Sequence, residues 1–553
     1  MKTKIITFIL LCIAINAAAQ NSNTTDEKSI YSHVVTKWGD QGNGTYINPI
    51  LNADYSDPDA IRVGDKYYMV ASDFHFMGMQ MLESDDLVNW TIISKVYDRI
   101  DFPEYDNMER YGRGSWAPAL RYHDGKFWVY FCTPDEGLFM SQATDPRGPW
   151  SPLHNIKHIA GWEDPCPFWD EDGKAYLGRS ILGAGPIIIH KMSEDGRTLL
   201  DDGYTVYTGP VAEGTKIHKK DGYYYLSIPE GGVWGGWQTV LRSKNIYGPY
   251  EKKVVMEKGI SDINGPHQGS IVDTPDGQWW FLHFQQFNSV GRIVHLQPMH
   301  WNEGWPVIGI DRDFNGIGEP VTAWIKPSWE SGMSWTITGE RMEAEKVGIP
   351  QIPAHSDEFN SSDLGLQWQF NHNPVDGKWS LTEKNGYLTL NGLKSDSFKN
   401  AKNSVTQKSM GYYGEFTVKM ELSDLENGNR AGLACMGMLN YQLGVMKTEG
   451  KLQLYMGNDD EKVIISKPVS GKTIYLRLYL DGISMKYSYA YSTDNKTFTP
   501  IGDIFEMDFG YWKGIRPAIF CYNTEGNGGK AHFDWARYEI LDNKVNAIYL
   551  NKK

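Results

Sequence analysis

Five times in the first three hundred residues, an apolar or aromatic run meets an acidic-glycine pair and resumes beyond it. The five are RVGDKYYMVAS around Gly64-Asp65, RYHDGKFWVYF around Asp124-Gly125, DEDGKAYLGRS around Asp172-Gly173, KKDGYYYLSIP around Asp221-Gly222 and TPDGQWWFLHF around Asp276-Gly277. Alternating or aromatic runs read as strands, and Asp-Gly between two of them reads as a hairpin turn, because such turns need positive φ. The first residues of successive pairs stand 60, 48, 49 and 55 positions apart. That spacing is close to one four-stranded propeller blade, roughly 40–50 residues. SDDLVNW at 84–90, TDPRGPW at 144–150 and SKNIYGPY at 243–250 read as the turn and outer strand that finish a blade. The pattern predicts an all-β fold that begins with a five-bladed β-propeller over residues 45–320.

After 320 the repeat stops. Residues 321–354 read as a linker. From 355 to 553, short alternating segments such as GYLTLNG, YGEFTVKMEL, TIYLRLYLDG and AHFDWARYEI are separated by Gly, Asn and Asp turns, which predicts a β-sandwich. The N-terminus has a different pattern. Lys2 and Lys4 precede an apolar run that ends at Ala17-Ala18-Ala19. This reads as a signal peptide over residues 1–19, and so as an exported protein, periplasmic or secreted. The apolar run is shorter than a membrane span, and no later stretch is long enough to insert.

The chain of 553 residues carries a net charge of −14. That disfavours nucleic acid and anionic membrane surfaces as partners and leaves neutral ligands open. Beyond the leader lie Cys132, Cys166, Cys435 and Cys521. Their spacing matches no metal or redox motif, and they are expected as buried free thiols.

Eight positions before each turn aspartate stand Asp57, Trp116, Asp164, Glu213 and Gln268. In a propeller the innermost strand of each blade lines the central channel, so residues at the start of these strands gather near one mouth. A lone aspartate there usually satisfies backbone or faces water. Three carboxyls converging on one axis are costly, because like charges push at least one pKa upward. That cost suits glycoside hydrolysis, which needs one protonated carboxyl for the leaving oxygen and one carboxylate to activate water or attack carbon. Trp116, Trp162, Trp234 and Trp237 lie near the same segments. They are candidates to stack on sugar faces, with packing between blades as the alternative.

The segments NPILNADYSDPDAIRVGDKYYMVAS, SWAPALRYHDGKFWVYF, WEDPCPFWDEDGKAYLGRS, AEGTKIHKKDGYYYLSIPEGG and NGPHQGSIVDTPDGQWWFLHF resemble the successive blades of family 43 glycoside hydrolases, and VGRIVHLQPMHWNEGWP resembles the family's closing segment. DEFNSSDLGLQWQFNHNP resembles the start of the concanavalin-like sandwich often fused to its exo-acting members. The resemblance implies a configuration-inverting, exo-acting enzyme. It makes Asp57 the general base, with Asp59 as a nearby rival, Glu213 the general acid and Asp164 the carboxylate that tunes the acid. It gives Arg292 contact with the bound sugar. His267 matches a histidine that in some members helps hold an axial ion, such as Ca2+, or a water; no cofactor is expected to be required, and no metal ligand set is assigned. The expected partner is a neutral hemicellulose oligosaccharide or polysaccharide. Between the pentoses, the reading leans to terminal α-L-arabinofuranosyl residues of xyloglucan or arabinoxylan, with β-D-xylosidase as the alternative and a non-catalytic sugar-binding propeller behind both. The sandwich is expected to close one side of the pocket and to stabilise the propeller.

Overall fold

The computed structural model describes residues 38–42, 44–327, 351–459 and 462–541. The leader and most of the linker lie outside these residues. The described part is almost entirely β. Five antiparallel sheets of four strands follow one another along the chain. Their inner strands are Ser56–Val63, Trp116–His123, Trp162–Trp169, Lys216–Lys220 and His267–Asp273. These are the five blades of a propeller.

The predicted turns sit where each inner strand doubles back. Asp124-Gly125 and Asp221-Gly222 close two-residue hairpins with φ of 48° and 71°, and 51° and 75°, the twist that lets antiparallel strands meet without splaying. Gly64-Asp65 does the same in the first blade, whereas residues 170–174 and 274–278 form longer loops. The ring is fastened outside the blades. Thr45–Ile47 pairs with Gly39–Asp40 on one side and with Ala323–Ile325 on the other, so the chain entering the propeller is bonded to the chain leaving it.

Beyond the linker, one sheet of eight strands and one of seven stack as a sandwich, with Leu433, Leu443, Ile519, Val418, Leu476 and Phe533 among the residues filling the space between them. The sandwich is anchored to the propeller by buried charge. Lys408 Nζ and Arg516 Nη2 of the sandwich reach Asp73 Oδ1 of the first blade at 2.8 and 3.4 Å. Burial alone would raise Asp73, but these two cations hold it below the usual carboxylate range. Asp54 bridges the same seam, accepting from the backbone N–H of Arg292 at 2.9 Å and of Gly514 at 3.0 Å.

Candidate active site

Four of the five inner strands start with an irregularity. Pairing registers shift between Ser56 and Asp59, Trp116 and Ala119, Glu163 and Cys166, and His267 and Gly269. The residue inside each bulge has positive φ: Asp57 at 53°, Ala117 at 40°, Asp164 at 56° and Gln268 at 33°. Bulges re-aim side chains, and non-glycine residues in this region mark sites held by their surroundings. Asp57 and Asp164 are thus equivalent, as the sequence count implies. The count is one residue off in the second blade, where Ala117 fills the bulge and Trp116 precedes it. The first turn reads Gly-Asp where the second and fourth read Asp-Gly in turns of the same two-residue length, so a count from the aspartate lands one residue early in both, at Trp116 and at Glu213, the residue before Gly214 with φ of 60°. Trp116 is half-buried and donates its indole N–H to the Gly112 carbonyl at 2.7 Å.

Asp57 is held at both oxygens. Ser56 and Ser72 hydroxyls donate to Oδ2 at 2.9 and 2.6 Å, and Arg292 Nη1 donates to Oδ1 at 2.8 Å. Each carboxylate oxygen has two lone pairs, so capacity for a water remains. Its neighbour Asp59 goes elsewhere, because the bulge breaks strand alternation between them. Asp59 is fully buried and bonded to Arg121 at 2.8 Å and to the Leu120 amide at 2.8 Å, a structural ion pair of the inner strands.

Asp164 Oδ2 accepts from Ser180 at 2.9 Å and from the Gly214 amide at 2.7 Å. That amide directly follows Glu213, so the two carboxyls are tied through one peptide. Glu213 Oε1 is 2.7 Å from His267 Nε2. The structure therefore brings Asp164, Glu213 and His267 together, and Asp57 and Arg292 together.

A third acid, missed by counting along the sequence, completes the cluster. Glu163 stands one residue before the bulge, equivalent to Ser56, Trp116 and His267 in the other blades. Oxygens of Glu163, Asp164 and Glu213 all lie within 4.8 Å of one another. Burial, then Asp164, then Glu213 push Glu163 up to about 9; burial, then Glu213, push Asp164 up to about 6. Raised carboxyls bind protons more tightly when folded, so their stabilising contribution is lost as pH rises, here between about 4.5 and 9 for Glu163. Glu163→Gln keeps the shape without the charge. Thermal unfolding between pH 5 and 9 is expected to show a shallower fall in Tm for this variant than for the parent; parallel curves would refute the assignment.

Glu230, a carboxyl close by in sequence, is spoken for. It accepts from Tyr207 at 2.6 Å, Thr239 at 2.5 Å and Trp237 at 3.2 Å, and pairs with Lys252 at 2.8 Å. Burial would raise it, yet the Lys252, Thr239 and Tyr207 donors hold it low. It does not suit a proton donor.

His267 uses Nε2 on Glu213, while its buried Nδ1 has no hydrogen-bond partner among the described residues. Among the described residues, the only group with ligand spacing is the three-carboxyl cluster, which excludes His267.

The sandwich also reaches this mouth. Trp512 is 48% exposed and lies over the Arg292 guanidinium, 5.7 Å from ring centre to Cζ; Phe284 of the propeller faces the same group at 4.5 Å. Tyr511 and Trp512 both have positive φ, 52° and 64°, in a loop tied to the propeller through Asp54. Among the described residues, Cys132, Cys166, Cys435 and Cys521 are buried free thiols. No helix of the described residues is long and apolar enough to cross a membrane.

The arrangement matches known proteins. Residues 46–306 fit the family described as "Glycosyl hydrolases family 43", and residues 356–539 fit "Beta xylosidase C-terminal Concanavalin A-like domain". A protein of Xylanibacter ruminicola named "Putative beta-xylosidase" is 52% identical over 91% of both chains. A "Beta-xylosidase" of Formosa agariphila is 36% identical over 96% of both. A "Non-reducing end alpha-L-arabinofuranosidase" of Bacteroides ovatus is 26% identical over 90% of this chain and 95% of its own. Among solved structures, a GH43 protein of Bacillus licheniformis matches with a TM-score of 0.76 at 27% identity, over 90% of this chain and 100% of its own. A bifunctional GH43-CE protein of Bacteroides eggerthii matches at 0.77 and 29% over 90% of this chain, which spans 64% of that one.

Proposed function

Because the chain belongs to glycosyl hydrolase family 43 and is a glycoside hydrolase acting on carbohydrate, we propose that it is an exported, exo-acting β-D-xylosidase that trims xylan-derived chains from the non-reducing end. The observation that carries the xyloside reading is the agreement in name of the relatives at 52% and 36% identity. The relative named for arabinofuranoside stands at 26%. The lean toward α-L-arabinofuranoside gives way to this, because the two pentoses offer similar hydroxyl geometry that the sequence alone does not separate.

In this reading Asp57, fixed by Ser56, Ser72 and Arg292, takes a proton from a water as it attacks the anomeric carbon. Glu213 gives its proton to the departing oxygen as the bond from carbon to that oxygen breaks. Asp164 and Glu163 stand beside Glu213, with oxygens of all three carboxyls within 4.8 Å of one another. No covalent sugar intermediate is required, so configuration inverts. Arg292 and Trp512 border the sugar beside the base.

Aryl β-D-xyloside and aryl α-L-arabinofuranoside, assayed side by side, test the substrate. Faster release from the xyloside is expected; faster release from the arabinofuranoside would reverse the reading. Proton NMR of the first-formed xylose, taken before mutarotation, tests the chemistry. The α anomer is expected first, and β-xylose first would rule out inversion.

A further inference from the structure

Single exposed apolar side chains are ordinary; contiguous ones mark binding surfaces. On the face that carries the carboxyls, three loops each expose an apolar side chain. Leu182, 40% exposed, leads the turn after the second strand of the third blade. Val211, 47% exposed, stands two residues before Glu213. Trp234, 58% exposed, tips the turn after the second strand of the fourth blade.

The loops touch. The Gly231 amide donates to the Pro210 carbonyl at 2.9 Å, joining the Trp234 turn to the Val211 segment. A Cβ added at Gly232 would meet Val211 Cγ1 at 3.9 Å, and one at Gly185 would meet the Ala212 carbonyl oxygen at 3.3 Å. The Ala184 amide donates to Glu163 Oε1 at 3.1 Å, which fixes the Leu182 turn over the carboxyl cluster. The result is an apolar rim running outward from Glu213.

We infer that this rim, with Trp234 at its end, is a binding site for the leaving portion of a xylan chain, beyond the first sugar past the cleaved bond. The inference rests on the role proposed for Glu213. An acid sits against the oxygen it protonates, so the chain attached to that oxygen departs over the acid's own surroundings. Outward from the carboxyl cluster, the loops beside the acid expose Leu182, Val211 and an accessible indole. Pyranose rings present apolar C–H faces to such surfaces, and the leaving chain supplies a series of them. The occupant follows from continuity with the carboxyl cluster. The enzyme is accordingly a trimmer of longer chains rather than chiefly of the disaccharide.

Chain length tests this. kcat/KM is measured on β-1,4-linked xylobiose, xylotriose, xylotetraose and xylohexaose for the parent, Trp234→Ala and Trp234→Phe. In the parent the ratio of xylotetraose to xylobiose is expected to be about ten to a hundred, the range for covering one aromatic face. The ratio should fall to near one in Trp234→Ala and be largely retained in Trp234→Phe. A flat parent series, or the same ratio in parent and Trp234→Ala, overturns the rim while leaving the xylosidase reading intact. No turnover of any of the four overturns the xylosidase reading and the rim with it. A merely misfolded Trp234→Ala would lose activity on all four alike without changing their ratio.

Discussion

Replacing Asp57 by asparagine is expected to lower kcat about 10²–10⁴-fold on xylo-oligosaccharides and on dinitrophenyl xyloside alike. The amide would keep the size and could still accept from Ser56 or Ser72, but it is a far weaker proton acceptor. Activating water is a demand common to both substrates, so neither should be spared. The variant has a second consequence. Arg292 is buried and its Nη1 pairs with Asp57 at 2.8 Å. Removing one partner of a buried pair leaves the other uncompensated, at a cost of about 3–5 kcal/mol. Circular dichroism and thermal unfolding should therefore accompany the kinetics. A folded Asp57→Asn that retains parental kcat on either substrate would show that Asp57 is not the base.

Glu213→Ala should separate the same two substrates. A dinitrophenolate leaves readily without a proton, whereas a sugar alkoxide does not. The loss is expected to be about 10²–10⁴-fold on xylotetraose, as for a missing general acid, and much smaller on dinitrophenyl xyloside. Pre-steady-state and steady-state rates on both substrates provide the measurement. Equal losses would mean that another group donates the proton. Glu230 is no candidate for it, with four donors already on its carboxylate; Glu163, in the same cluster and pushed up by burial and its neighbours, would be tested next.

The propeller was legible because five turns need the same chemistry, a small or acidic residue with glycine at positive φ, and that requirement shows in the letters. The carboxyls Asp57, Asp164 and Glu213 were legible for the same reason: an inner strand has a fixed rise, so a count from its turn finds its start. The count slipped at Trp116 and at Glu213, where a turn pair reversed relative to the first blade moved the frame by one. It passed over Glu163 because it sampled one position per strand and assumed alternation, which a bulge breaks. The same bulge sends Asp59 to Arg121, away from the partners of Asp57. Trp512 was beyond reach of any such count. Its place over Arg292 depends on how two separate cores dock, and nothing local in YWKG encodes that. Nor could Glu230 be set aside from its own segment, since Tyr207 and Lys252 come from the outer strands of two blades.

The seam between propeller and sandwich has an evolutionary reading. Two family descriptions meet there, as if two modules had been strung together and could be exchanged. Asp73 says otherwise. It is buried in the first blade, and the cations beside it, Lys408 and Arg516, belong to the other module. Separating the propeller from its sandwich would strip Asp73 of both cations and open the seam to water. A different module joined at this boundary would have to bring its own cations to the same place.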